Sequence, residues 1–346
     1  MVRPRSEKNG TVLIHWRSVH FSTIGNLLLI SNMTKKVFTN SLGTLNSFLS
    51  ASQQSYNKCI DVVEHQHSIS GVEATMRLHH LKFDGNGQPM IAALAETLYH
   101  HIIDYCLAVQ NRTTPLTSKE AVKLTKEARK LFIHPTNTPA NPDTTGEAGE
   151  VLLYFILESV LGVPQVVAKM ELKTNPNDEL KGSDGIHMCW NEKDKLVDLF
   201  FGEAKLYQDV GSAITSALKS IDTFHDNGMH QHEFSMVTKH FKYADANVKN
   251  AVAQLLEFGA PTGDIRINHA CLIGYDWKEY GSLPKMASVA LTDEFRKRYL
   301  ADSKNLHEHL QKRFDKFQKK HLRFEVFFIP FPSVQEFRDA FNKALD

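Results

Sequence analysis

Apolar residues recur at helical spacing across residues 146–165, with Val151, Leu152, Phe155, Ile156 and Val160 on one side. Glu147 and Glu150 fall in the first turn of this predicted helix, and Gly162 with Pro164 ends it. The period then shortens. Two apolar segments, one opened by Asp184 and the other closed by Glu203 and Lys205, flank the polar turn Asn191, Glu192, Lys193 and Asp194, and predict a β-hairpin. Helical spacing returns over residues 209–224, with Ile214, Leu218 and Ile221 on the apolar side. Further along, the pattern predicts a helix over 241–258, a strand over 265–275, a long basic helix over 292–321 and a continuous apolar strand over 322–331. Ser333 and Glu336 are placed to cap a last helix.

Upstream, residues 35–112 mix short β-like runs, such as 76–83, with a predicted helix over 90–108. Asp84, Gly85, Asn86 and Gly87 between them form a turn, lacking the lysine of a phosphate loop and the closing glutamate of a calcium loop. Thr117 and Glu120 make a capping box that starts a helix running to about residue 132. Pro135, Asn137, Pro139, Asn141, Pro142 and Asp143 then cluster as a linker. The expected organisation is an extension or mistaken start over 1–32, an N-terminal α/β domain over 33–134, and a second domain over 135–346 with C-terminal helical additions. Alternating periods of this kind place the chain in the α/β class.

Composition changes this picture little. With 42% hydrophobic and 23% charged residues, the 346-residue chain has ordinary globular composition and length for two domains. A net charge of +1 gives no overall attraction to nucleic acid, so any contact with DNA has to come from local patches. The four cysteines form no C-x-x-C pair and read as reduced cytoplasmic residues rather than as zinc ligands or disulfides. The apolar run Leu27 to Ile30 is far too short to span a membrane. His225, His230 and His232 lie close together, but their spacing fits no zinc motif, and the stretch is expected to be a loop.

The candidate chemistry sits at the hairpin. Glu203 and Lys205 are two positions apart on one strand, so they share a face, while Ala204 points away and leaves its carbonyl in line. Charged groups at the end of an apolar face are costly unless they are paired or hold a cation. Asp184, Glu203 and the Ala204 carbonyl are hard oxygen donors suited to Mg²⁺, with Mn²⁺ as a substitute, and Lys205 beside two carboxylates stays protonated. This set points to phosphodiester hydrolysis, in which the lysine stabilises charge on the phosphate. A surface hairpin with a solvated Glu and Lys is the plainer alternative.

The helix with Glu150 in its first turn, followed by a strand, the Asp184 strand and the Glu203-x-Lys205 strand, resembles the PD-(D/E)XK nuclease core of helix, three strands, helix and strand. More closely, the runs GEAGEVLLYFILE, LGVPQVVAKMELKT, GSDGIHM and FFGEAKLYQDVGSAITSALKSI resemble the HamA family, nuclease subunits of Hachiman anti-phage defence systems. The resemblance implies Glu150, Asp184, Glu203 and Lys205 as site residues, with Glu150 joining Asp184, Glu203 and Ala204 around the metal. It further implies a cytoplasmic, Mg²⁺-dependent DNA endonuclease held in check by a HamB-like helicase subunit, and the N-terminal domain over 33–134, which carries none of these site residues, is the expected docking surface for that partner. The alternative is a nuclease fold kept only for binding DNA or a partner.

Overall fold

Four parallel strands form the centre of a six-stranded sheet, and helices cover both of its faces, so apolar side chains on both sides of these strands are buried. The computed structural model describes residues 40–112, 115–133, 145–175, 182–257, 265–285 and 288–346. In chain order the elements are α1 (Gln53–Cys59), β1 (Ile60–Ser68), β2 (Glu73–Leu81), α2 (Ile91–Tyr99), α3 (Ile102–Cys106), α4 (Ser118–Arg129), α5 (Glu147–Val160), β3 (Gly185–Asn191) and β4 (Leu196–Tyr207). They continue with α6 (Val210–Asp226), α7 (Met229–Lys239), α8 (Ala246–Glu257), β5 (Ile265–Asp276), α9 (Ser288–Lys316), β6 (Arg323–Phe331) and α10 (Val334–Leu345). The strand order is β1-β2-β6-β5-β4-β3, with β1 antiparallel to β2 and β3 antiparallel to β4.

Side-chain alternation along the central strands feeds two cores. Ala270 and Leu272 of β5, with Phe327 and Ile329 of β6, join the core formed with α5 and α10. Cys271, Ile273, Phe324, Val326 and Phe328 join the other, with Ile214 of α6 and Phe295 of α9. Helix α5 lies especially close to β4. A Cβ on Gly149 would come within 3.1 Å of Leu206, and one on Gly202 within 2.9 Å of Leu153.

The hairpin forms as its pattern predicts, Ile186 opposite Phe201 and Asn191 opposite Leu196, with an unbroken register and no bulge at Gly202. Lys195 closes the turn at φ 55°. The Thr117 capping box and the Ser333 cap are both present. Asp84 Oδ1 accepts from the N–H of Asn86 and of Gln88, 2.8 Å each, which fixes the predicted turn.

Other expectations need correction. The helix expected over 90–108 is two helices, α2 and α3, broken at His100 and His101. The first of three strands expected after α5 is not a strand: Gln165 bridges to His187, Val167 to Phe241, and a 3₁₀ turn follows at Lys169–Leu172. Each residue pairs with a different neighbour, so no ladder develops. The helix expected from residue 241 starts only at Ala246, where Asp245 Oδ1 accepts from the N–H of Asn247 and of Val248. The stretch carrying His225, His230 and His232 is helical, spanning the end of α6 and the start of α7, because Gly228 at φ 64° turns the chain within two residues.

The division expected near residue 135 does not divide the sheet. Residues 42–346 form one compact unit, and β2 pairs along β6, Ala74 beside Phe324 and Leu78 beside Phe328. The linker cluster itself and the 1–32 extension lie outside the described residues.

Candidate active site

Asp184 sits one residue before β3, its N–H donating to the carbonyl of Gly202 at 2.9 Å. Strand β4 runs on past that point, so among the described residues no strand pairs with the N–H of Ala204 on this side, and it donates instead to Asp184 Oδ2, 2.7 Å away. The N–H and C=O of a strand residue face the same neighbour, so the Ala204 carbonyl faces the same gap. One side-chain oxygen of Asp184 thereby finishes the sheet and leaves the other for a ligand.

Glu203 and Lys205 share the opposite face of β4 from Ala204 and Leu206, on the side where Phe201 packs on Phe224 of α6 with ring centroids 4.9 Å apart. Glu203 Oε1 and Lys205 Nζ are 2.5 Å apart. Glu150, in the first turn of α5, accepts from the hydroxyl of Tyr105 at 3.2 Å. Glu150 of α5, Asp184 just before β3, and Glu203 and Lys205 of β4 line one cavity of about 810 Å³.

The electrostatics of this recess are those of crowded, poorly solvated carboxylates. Burial, reinforced by the charge of Asp184, pushes both Glu150 and Glu203 above the usual carboxylate range. Asp184 is raised as well, chiefly by burial, although the Ala204 N–H and the charges of Lys205 and Lys169 oppose it. For Lys205, burial pulls the ammonium down, but Glu203 and Asp184 outweigh it and hold the group above its ordinary value. Lys205 is therefore a cation at neutral pH; of the other lysines that line the cavity, Lys169 is paired with Glu233 and Lys173 with Glu147.

The crowding of Glu150, Asp184 and Glu203 in a buried recess is the test of whether the site suits a divalent cation. Among the described residues, no three His, Cys, Asp or Glu side chains gather tightly enough to cage a metal by themselves. Mg²⁺ does not need such a cage: it keeps several waters and is held by one or two carboxylates together with substrate oxygens. Asp184, Glu203 and the Ala204 carbonyl fit that requirement, and a bound cation would offset the burial and the mutual repulsion that raise the carboxylates.

Pattern reading missed several residues here. Tyr105 holds Glu150, Lys173 pairs with Glu147 at 2.8 Å, and Lys169 pairs with Glu233 at 3.0 Å. Only Glu147 gave any signal, through its place in the first turn of a helix. The basic residues expected on the long helix are largely spent on internal partners: Arg313 on the carbonyl of Gly211 and on Thr215, Arg298 on Glu294, and Lys319, just beyond it, on Asp222 and Asp226. His225 and His269 approach at 2.8 Å between their Nε2 atoms, one donating to the other, and burial holds both rings neutral.

A mixed sheet covered by helices on both faces, with Glu150, Asp184, Glu203 and Lys205 lining one cavity beside an edge strand, defines an α/β protein with a cavity rich in carboxylates and lysines. The family model HamA matches residues 54–345, and the chain belongs to the HamA family. Membership suggests a component of Hachiman anti-phage defence. No curated protein matches the chain. Among the described residues, no helix is long and apolar enough to cross a membrane.

Proposed function

We propose that this chain is the metal-dependent DNA endonuclease of a Hachiman defence system, built on a PD-(D/E)XK-type core and restrained by a helicase partner. The observation that carries the reading is the convergence of Glu150, Asp184, Glu203 and Lys205 on one cavity. A Mg²⁺ ion held there by Asp184, Glu203 and the Ala204 carbonyl would polarise a phosphodiester and activate water for attack on it. The Lys205 ammonium, kept protonated by Glu203 and Asp184, stabilises the charge that builds on the phosphate oxygens. Glu150, held by Tyr105, adds a third acidic group to the cavity, and Lys219 lines it as a further cation.

One observation favours a second reading, a non-catalytic DNA- or partner-binding subunit: Lys205 is closed on Glu203, as in a site whose ion pair replaces the metal. Supercoiled plasmid incubated with the chain and its helicase partner separates the two. Nicking with Mg²⁺ or Mn²⁺, abolished by EDTA and by Glu203→Gln, is expected from the nuclease. Full cutting in excess EDTA would overturn the metal assignment. Binding of plasmid with no cutting under any metal or nucleotide condition would leave the second reading.

A further inference from the structure

Immediately before Asp184, the chain passes over a buried ion pair that the chemistry above does not use. Glu233, on α7, is completely buried. Its Oε1 accepts from the Ser183 N–H at 2.8 Å, from Lys169 Nζ at 3.0 Å and from Ser183 Oγ at 3.3 Å. Lys169 Nζ in turn donates to the Ser183 carbonyl at 2.6 Å. Both backbone polar groups of Ser183 are therefore gripped, one by the carboxylate and the other by its ammonium partner. The approach is so close that a Cβ on Gly182, which sits at φ 107°, would lie 2.0 Å from Glu233 Oε1. Only glycine suits this position, both for its backbone conformation and for the contact.

We infer that Glu233, with Lys169, is a positioning residue for the proposed metal site, clamping Ser183 so that Asp184 presents its free oxygen to the cavity. The inference rests on the nuclease reading given above. Asp184 needs such a clamp because it lies outside β3, tied by its own N–H to Gly202 and by its side chain to Ala204. Neither bond fixes the segment that leads into it. Other buried interactions could hold a loop here, and a Lys–Glu pair removed from water is a costly way to do so, since desolvation offsets much of its attraction. What the pair adds is direction: the carboxylate and the ammonium are aimed at the N–H and the C=O of one residue, in the two peptide units that flank its Cα, next to the ligand. The second carboxylate oxygen of Glu233 is buried without a hydrogen-bond partner among the described residues, so the bonding of this group goes to the clamp. Replacing groups that hydrogen-bond metal ligands typically changes metal affinity about 10- to 100-fold, and Glu233 with Lys169 acts one residue further out, through Ser183, so the low end of that range applies.

The test is Mn²⁺ titration calorimetry on the purified full chain, alongside plasmid cleavage and thermal unfolding in EDTA. Glu233→Gln keeps an oxygen for Ser183 but loses the charge that holds Lys169, and Lys169→Met frees the Ser183 carbonyl should the first variant fold poorly. Asp198→Asn is the control, because it weakens a comparable ion pair to Arg266 at the opposite end of the hairpin. The expected result is Mn²⁺ affinity about tenfold weaker or more in Glu233→Gln and Lys169→Met, beyond any change that Asp198→Asn produces at a similar loss of melting temperature. Wild-type Mn²⁺ affinity in both clamp variants, with wild-type protein binding Mn²⁺ and cutting DNA, would overturn this inference alone. A wild-type chain that takes up no Mn²⁺ would overturn the nuclease reading and the clamp with it.

Discussion

Glu203 and Lys205 touch at 2.5 Å near the rim of the cavity, their side chains 10% and 20% exposed, and this contact decides what a substitution there does. Removing Lys205 leaves Glu203 without its cation, but water can enter from the open side and the carboxylate already tends to hold a proton. Lys205→Ala is therefore expected to shift the melting temperature little while lowering DNA cleavage about 100- to 1,000-fold, the usual effect of removing one group that stabilises developing charge. Wild-type nicking by the folded variant would remove Lys205 from the mechanism. A different residue governs acid stability. His187 donates from Nδ1 to the carbonyl of Val163 at 2.9 Å, and burial lowers its pKa to about 4. The unfolded chain takes up that proton near pH 6.5 and the folded chain only near 4, so the contribution is complete above about 6.5 and is lost as pH falls between those values. In His187→Asn, unfolding free energy should decline less over that window, by about 1.4 kcal/mol per pH unit. Parallel slopes for the two proteins would show that His187 does not titrate as described. That Glu203 and Lys205 share a face, and that Glu150 lies in the first turn of a helix, was legible because both are local patterns, whereas grouping Glu150 with the hairpin residues rested on the family resemblance. Tyr105, Lys169 and Glu233 were not legible, since each meets its partner across tens of residues and carries no period of its own.

At the scale of elements, the hairpin and α5 were legible for the same reason that they hold the site: an uninterrupted apolar pattern with a clear end. The segment between them was not. Residues 165–172 look like a strand by composition, but Gln165 and Val167 bridge to different partners, and only the surrounding chain decides that. Likewise, HDNGMHQHE has the polarity of a loop, whereas one glycine at φ 64° suffices to join two helices there. The fit of α5 on β4 yields a prediction of its own. Gly202 faces Leu153, which is 2% exposed, so the extra methyl of Gly202→Ala has to displace a packed side chain or widen the helix-to-strand gap. Overpacking of this kind costs about 1–3 kcal/mol. Because α5 carries Glu150 and β4 carries Glu203, the same variant should also weaken cleavage. A melting temperature equal to wild type would show that α5 has room to move.

At the scale of the whole molecule, a net charge of +1 supplies little general pull toward DNA, and much of the positive charge on α9 is already paired within the fold. Slow cleavage by the intact complex without nucleotide, and faster cleavage once the helicase turns over ATP, is the outcome expected if the proposed partner restrains the site; equal rates in a plasmid assay would discard that restraint. The N-terminal region is the proposed docking surface for this partner, and the sheet limits how that can be tested. Strands β1 and β2 come from that region, yet β2 forms a parallel ladder with β6 from Glu73 beside Arg323 to Leu78 beside Phe328. A chain begun at Thr136 would lose both strands, leave the hydrogen-bonding edge of β6 bare, and uncover Phe327, which is completely buried in the intact fold. An exposed, apolar strand edge is a template for aggregation. The truncated chain is therefore expected to be insoluble or molten rather than a folded protein that has merely lost its partner. Static light scattering and near-ultraviolet circular dichroism would check this, and a soluble, cooperatively melting fragment would show that the two parts of the chain fold independently despite sharing one sheet.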